Sequence, residues 1–214
     1  MDPESSSQPM GTHGKKAPPL NPKTRRGRGK QIIKGGLYEQ KFSILGNNAN
    51  GLKAKIKSLK ANIEFFKKPS CVTIQETKLR QGNLIKIEGY KIFEKNRTGF
   101  GGGVLTAIIE ELEPVLISDG DEDNEILVVQ AKVGKENIRV INAYAPQEDD
   151  DLQNIISFWH TLEKEIISAV DAGCFVLIQM DANAKVGSEV IKGDPNKQSD
   201  CGKLLLDVIE RQNL

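Results

Sequence analysis

Cys71-Val72-Thr73-Ile74-Gln75-Glu76-Thr77-Lys78 sets a short apolar, β-branched run directly against a polar and charged one. The first half has the composition of a buried strand, and the second half reads as the point where that strand leaves the core. Layered α/β folds expose their ligand-binding loops at such strand ends. The same junction recurs three times. A strand predicted over 41–45 ends in Asn48-Ala49-Asn50-Gly51-Leu52, one over 138–143 ends in Asn142-Ala143-Tyr144-Ala145-Pro146, and one over 174–179 ends in Asp181-Ala182-Asn183.

The segments between these junctions supply the other layers. Ile56, Leu59, Ile63 and Phe66 recur at helical spacing among lysines, and Pro69 follows, which predicts an amphipathic helix. Strands are expected over 104–109 and 126–133, with residues 134–137 turning the latter into a hairpin with 138–143. Residues 151–170 carry Leu152, Ile155, Ile156, Trp159, Leu162 and Ile166 on one predicted helical face, behind an acidic first turn that suits the helix dipole. A loop through about 199 leads to a last helix over 203–209. The expected fold is α/β in the α+β sense: a four-layer α-β-β-α sandwich of two packed, mainly antiparallel sheets.

The 214 residues are 28% charged and 38% hydrophobic, enough for one sizeable core, and the net charge is +1. Residues 1–36 are rich in Ser, Pro, Gly and basic side chains and poor in hydrophobics, so they are expected to form a disordered basic tail ahead of one domain over 37–214. That tail reads as a nuclear localisation or nucleic-acid-binding segment, or as a solubilising linker. No apolar run approaches the ~20 residues of a membrane span, and the polar start does not resemble a signal peptide, so an intracellular, nuclear location is expected. Cys71, Cys174 and Cys201 are odd in number and lack metal-ligand spacing, which predicts thiols rather than a disulfide framework. His13 lies in the tail and His160 on a helix, so neither is expected to be catalytic.

Singly, each junction has an ordinary reading: Asp-x-Asn initiates turns, Glu76 could be a solvated strand end, and Tyr144-Ala145-Pro146 could be a tight turn. In order and spacing, from about Phe42 to Leu214, they resemble the endonuclease/exonuclease/phosphatase superfamily, with its Asn-x-Asn/Asp-Gly-Leu, Gln-Glu-Thr, Tyr-x-Pro and Asp-x-Asn motifs. The resemblance is greatest to the apurinic-endonuclease-like domain of non-LTR retrotransposon proteins.

It implies phosphodiester hydrolysis with Mg²⁺ or Mn²⁺, DNA as partner, and a link to a reverse transcriptase polyprotein. A hard cation takes oxygen ligands, usually one or two carboxylates with waters and phosphate. By the resemblance, Glu76 holds the metal with help from Asn50, and Asp181 orients or deprotonates the attacking water. Asn183 and Tyr144 bind the phosphate, and Asn48 and Lys78 support metal and phosphate positions. Arg80 and Arg97 are candidate backbone contacts, or scattered surface charges. The segment 99–103 is read as an entry to a strand near the site rather than a phosphate-cradling loop, because no helix follows it. Met180 stands where relatives usually have Gly. The family's Ser-Asp-His segment has no counterpart before Leu214, so the chain is expected to lack the domain's C-terminal end, which bears on its activity. Two other readings remain: a phosphatase acting on a lipid or small-molecule phosphate ester, and a nucleic-acid-binding remnant without turnover.

Overall fold

The computed structural model describes residues 41–80, 82, 85–97, 101–188 and 197–214. The predicted basic tail with His13, and residues 99 and 100 of the glycine-rich segment, lie outside the described residues.

Two four-stranded sheets pack face to face. The first has the order β1-β2-β4-β3, with β1 Ile44–Asn48, β2 Cys71–Gln75, β3 Tyr90–Lys95 and β4 Val104–Ile109. The second has the order β5-β6-β7-β8, with β5 Val115–Ser118, β6 Glu125–Val133, β7 Glu136–Tyr144 and β8 Phe175–Asp181. Pairing is parallel for β1 with β2 and for β7 with β8, and antiparallel elsewhere. Helix α1, Ile56–Phe65, covers the outer face of the first sheet. Helices α2, Leu152–Asp171, and α3, Asp200–Gln212, cover that of the second. The expected four-layer α-β-β-α sandwich is borne out.

Strand alternation sorts the side chains into three core layers. From β2, Val72 and Ile74 turn toward α1, while Cys71 faces the other sheet. From β6 and β7, Leu127, Val129, Ile138 and Val140 fill the space between the sheets, whereas Ile126, Val128, Ile141 and Ala143 meet α2 and α3. Among the described residues no helix is long and apolar enough to cross a membrane.

Several boundaries differ from expectation. The first strand runs 44–48 rather than 41–45, because its ladder with β2 continues to Asn48 opposite Gln75 and carries the asparagines with it. The hairpin turn is only Gly134 and Lys135, since Val133 already pairs with Glu136. On α2 the buried face is Ile155, Phe158, Trp159, Leu162, Ile166 and Ala169; Leu152 and Ile156 are exposed. Leu152 is the first helical residue and Ile156 lies about 100° around the helix from Ile155, so neither faces the sheet. The strand expected to be buried over 174–179 is an edge strand, only partly covered. The last helix starts earlier than expected, at Asp200, where the Ser199 side chain accepts from the Gly202 N–H as an N-cap. All three cysteines are free; Cys71 and Cys201 are buried and Cys174 is half-buried.

Candidate active site

The C-terminal ends of β1, β2, β7 and β8 lie on one edge of the sandwich, so Asn48, Gln75, Tyr144 and Asp181 share it. The starts of the antiparallel strands β4 and β6 reach the same edge, since Leu105 pairs with Ile74 and Glu125 with Tyr144. The four motifs, scattered over more than 130 residues of chain, meet because the fold is two parallel strand pairs packed side by side.

Asn48 is the hinge of the arrangement. Its amide nitrogen donates to Glu76 Oε1 at 2.7 Å and to Asp181 Oδ2 at 2.6 Å, while its carbonyl oxygen accepts from the Asn50 N–H at 3.0 Å. The last bond fixes which end of the amide is which. Two carboxylates from different sheets therefore face each other across one neutral donor group.

A positive charge sits at the rim. Lys78 Nζ lies 3.4 Å from Glu76 Oε2 and also donates to Asn50 Oδ1. The amide of Asn48, helped by Lys78 and opposed by burial, holds the Glu76 carboxyl below its usual range. Asp181 accepts from the Asn183 N–H through Oδ1 at 3.3 Å, which is the ordinary Asx turn, and its backbone oxygen accepts from Ala145 N–H at 2.9 Å. The turn reading and the site reading are thus both true of the same residues. Asn183 donates from its side chain to the Ala145 carbonyl at 2.7 Å, so one of its two amide hydrogens is already used.

Tyr144 lies beside these groups, largely buried. Burial pushes its hydroxyl pKa up, against the opposing hydrogen bonds of Asn183 and Gln147. A cleft of about 590 Å³ opens from Glu76, Lys78 and Tyr144 toward Lys95, Arg97 and Glu125. The Lys95 ammonium is turned inward onto the Asp119 and Asp121 carbonyls, and burial lowers its pKa. Arg97 is the more exposed cation of that wall, 3.6 Å from Glu125.

All of Asn48, Asn50, Glu76, Lys78, Tyr144, Asp181 and Asn183 come together. Arg80 is an exposed residue two positions beyond Lys78, and His160 sits on the exposed face of α2, away from the site. Met180 continues the β8 ladder opposite Ala143, so it interrupts nothing.

Three residues at the site carry no assigned role in the sequence. Asn142 is fully buried and donates across the sheets to the Leu105 carbonyl at 2.8 Å and to Thr106 Oγ1 at 3.2 Å. It accepts from Gln75 Nε2 at 2.7 Å, so these two amides bolt the sheets together under the site. Both occur inside the motifs, and a polar residue within an apolar run was their only signal. Glu125 gave none, as a charge at the head of a strand ordinarily reads as solvated.

No family model matches the sequence, and no curated protein matches it. Solved structures do. An AP endonuclease from Leishmania major superposes with a TM-score of 0.63 at 16% identity, over 79% of this chain and 66% of that one. A 3'-5' exonuclease from Neisseria meningitidis gives 0.60 at 16% identity, over 78% and 70%. The endonuclease domain of a telomere-specific non-LTR retrotransposon gives 0.56 at 17% identity, over 79% and 69%. The chain spans about two thirds of the length of these structures. The chain shares its fold with these endonuclease and exonuclease structures, the retrotransposon endonuclease domain among them, which is the fold that the superfamily resemblance of the motifs implies.

Proposed function

We propose that the chain is the endonuclease module of a non-LTR retrotransposon protein and hydrolyses DNA phosphodiester bonds with Mg²⁺ or Mn²⁺. The observation that carries this reading is the single Asn48 amide shared by Glu76 and Asp181, with Tyr144 and Asn183 alongside. Opposed carboxylates held this close favour a compact positive charge between or beside them.

The donor set suits such an ion. Among the described residues no group of three or more His, Cys, Asp or Glu side chains is placed to hold a metal ion, so an ion here would take most of its shell from amide oxygen, waters and phosphate. Mg²⁺ needs only one or two carboxylates, with waters and phosphate completing its shell. The Lys78 ammonium already lies between Glu76 and Asn50, the two residues read as metal ligands, which marks that spot as one that accepts a cation. Glu76 and Asn50 would hold the metal, which when bound would offset charge on the phosphoryl and leaving oxygens. Lys78, on displacement, would pair with phosphate.

The remaining steps fall to the chain's own groups. Asp181, fixed through both carboxylate oxygens, is placed to take a proton from the attacking water. Tyr144 donates its hydroxyl hydrogen to a phosphoryl oxygen. Asn183 holds the Tyr144 hydroxyl with its second amide hydrogen and would share that hydrogen with the same phosphoryl group. Arg97 offers charge for the flanking backbone.

Supercoiled plasmid incubated with Mg²⁺, using the longest natural form that carries these residues, tests the reading. Nicked circles are expected, with a loss of ~10²-fold or more in Glu76→Ala and in Asp181→Ala. Hydrolysis confined to lipid or small-molecule phosphate esters would move the substrate to that class. DNA binding without any nicking would overturn the enzymatic reading.

A further inference from the structure

The glycine-rich segment ahead of β4 and the buried carboxylate at the head of β6 have no part in the chemistry above, yet they touch. Glu125 is 7% exposed. Its Oε2 accepts from the Gly103 N–H at 2.6 Å, and Arg97 is its nearest cation. A buried carboxylate is costly unless charge-assisted hydrogen bonds compensate it, so its position is specific.

Gly103 passes that constraint on. Its carbonyl accepts from the Thr77 N–H at 3.0 Å, and the Gly102 carbonyl accepts from the Lys78 N–H at 2.8 Å. On the other side, the Gly51 and Leu52 N–H groups donate to the Glu76 and Thr77 carbonyls, each at 2.8 Å. The segment 76–78 is thus clasped from both sides. It needs clasping, because Glu76 and Lys78 both adopt a left-handed backbone with φ of 50°. Such a conformation is unfavourable for a non-glycine residue, whose Cβ crowds the following carbonyl.

The two glycines are required by the same contact. Gly102 and Gly103 have φ of 64° and 87°. A Cβ at Gly102 would fall 2.1 Å from Glu125 Oε1, and one at Gly103 would fall 2.4 Å from Thr77 Oγ1. No side chain fits between the carboxylate, the glycine strand and residues 76–78.

We infer that Glu125 is a positioning residue for the site: its carboxylate locks residues 102–103, and through their carbonyls holds Glu76 and Lys78 in the strained backbone that aims them at Asn48 and Asn50. Its bearing on metal binding rests on the function proposed above; the clamp itself does not. The relay is asymmetric. Removing the acceptor frees one clasp of the segment and leaves both sheets paired.

The test compares Glu125→Met, close in volume but with no acceptor, with Glu125→Gln, which keeps an oxygen for the Gly103 N–H. An apolar side chain of similar volume is tolerated where a buried charge stood, so the methionine variant is expected to fold. Amide hydrogen exchange by NMR should show protection of Gly103, Thr77 and Lys78 falling at least tenfold in Glu125→Met. Val128 and Ile141, in the middle of the second sheet, should not change. Glu125→Gln should restore most of the protection. Mn²⁺ titration followed by water proton relaxation should show an affinity several-fold weaker in Glu125→Met and recovered in Glu125→Gln. Unchanged exchange at Thr77 and Lys78 in Glu125→Met would overturn the clamp. So would a loss spread evenly over β6 and β7, which would make Glu125 merely structural. If the wild-type chain bound no Mn²⁺ saturably, the functional reading would fail alone, and the exchange pattern would still decide the clamp.

Discussion

Replacing Asn142 by leucine tests whether the two sheets are joined by polar contacts as well as by their apolar core. The wild-type amide donates to the Leu105 carbonyl at 2.8 Å and to Thr106 Oγ1 at 3.2 Å, and accepts from Gln75 Nε2 at 2.7 Å. Gln75 is 2% exposed, and among the described residues its side chain has one other hydrogen bond, a 3.5 Å approach to the Gln179 carbonyl. Leucine therefore removes about three hydrogen bonds and strands one buried amide. An orphaned buried donor costs about 1–3 kcal/mol and each lost bond about 1 kcal/mol, giving a total of about 4–6 kcal/mol. With a urea slope of about 2 kcal/mol/M, the unfolding midpoint should fall by about 2–3 M.

The double variant Gln75→Met with Asn142→Leu separates this account from simple overpacking. With both amides gone the Gln75 amide is no longer stranded, so the pair should be about 1–2 kcal/mol more stable than the sum of the singles. Urea unfolding followed by the fluorescence of Trp159, the single tryptophan, reads all three variants. Singles that add without coupling, or an Asn142→Leu cost below about 1 kcal/mol, would refute the reasoning.

Other perturbations give equally direct results. Glu76→Gly removes both the left-handed strain and one of two facing carboxylates, so thermal unfolding should show stability unchanged or raised by about 1 kcal/mol while plasmid nicking disappears. Gly103→Ala meets a φ of 87° and a Cβ contact of 2.4 Å with Thr77 Oγ1, and should cost about 2–3 kcal/mol by the same measurement. The Glu163 carboxyl on α2 is held below its usual range by Arg211 and then Gln212 of α3. A depressed carboxyl pKa contributes stability above the unfolded value, about 4.3, and loses it as the pH falls through the folded one. Acid should therefore loosen α3 from α2 below about pH 4.3, seen at Trp159 packed in the same layer as Cys201, and Glu163→Gln should flatten that transition.

The sandwich was legible because its central strands alternate or run apolar, and its helices carry a clear stripe. The two strands that no pattern announced are both at sheet edges. β3 mixes Lys91, Glu94 and Lys95 into its run, as edge strands do to discourage further pairing, and β5 leaves Val115, Leu116 and Ile117 exposed, so neither period nor burial marks it. The site residues were legible as types at strand ends. Their supports were not, because Gln75 and Asn142 meet across 67 residues, and Glu125 reaches Gly103 across 22. Those contacts depend on which strands become neighbours, which no local window contains.

Backbone strain draws these layers together. Among the described residues, Asn50, Glu76, Lys78 and Asn183 all take left-handed conformations, and all four belong to the site. Asparagine visits that region readily because its short side chain bonds locally, as Asn50 and Asn183 illustrate within their turns. Glutamate and lysine have no such compensation. Within the site the uncompensated backbone falls on the one carboxylate read as the metal ligand and on the cation beside it; outside the site Lys67, Lys68 and Glu113 adopt it in turns that follow helical segments. Glu76 and Lys78 are the two positions that the glycine carbonyls and Glu125 hold from one side and residues 51–52 from the other. A surface turn has no need of two clasps. The arrangement is understandable if the direction of the Glu76 side chain, rather than the stability of its segment, is what the surrounding contacts maintain.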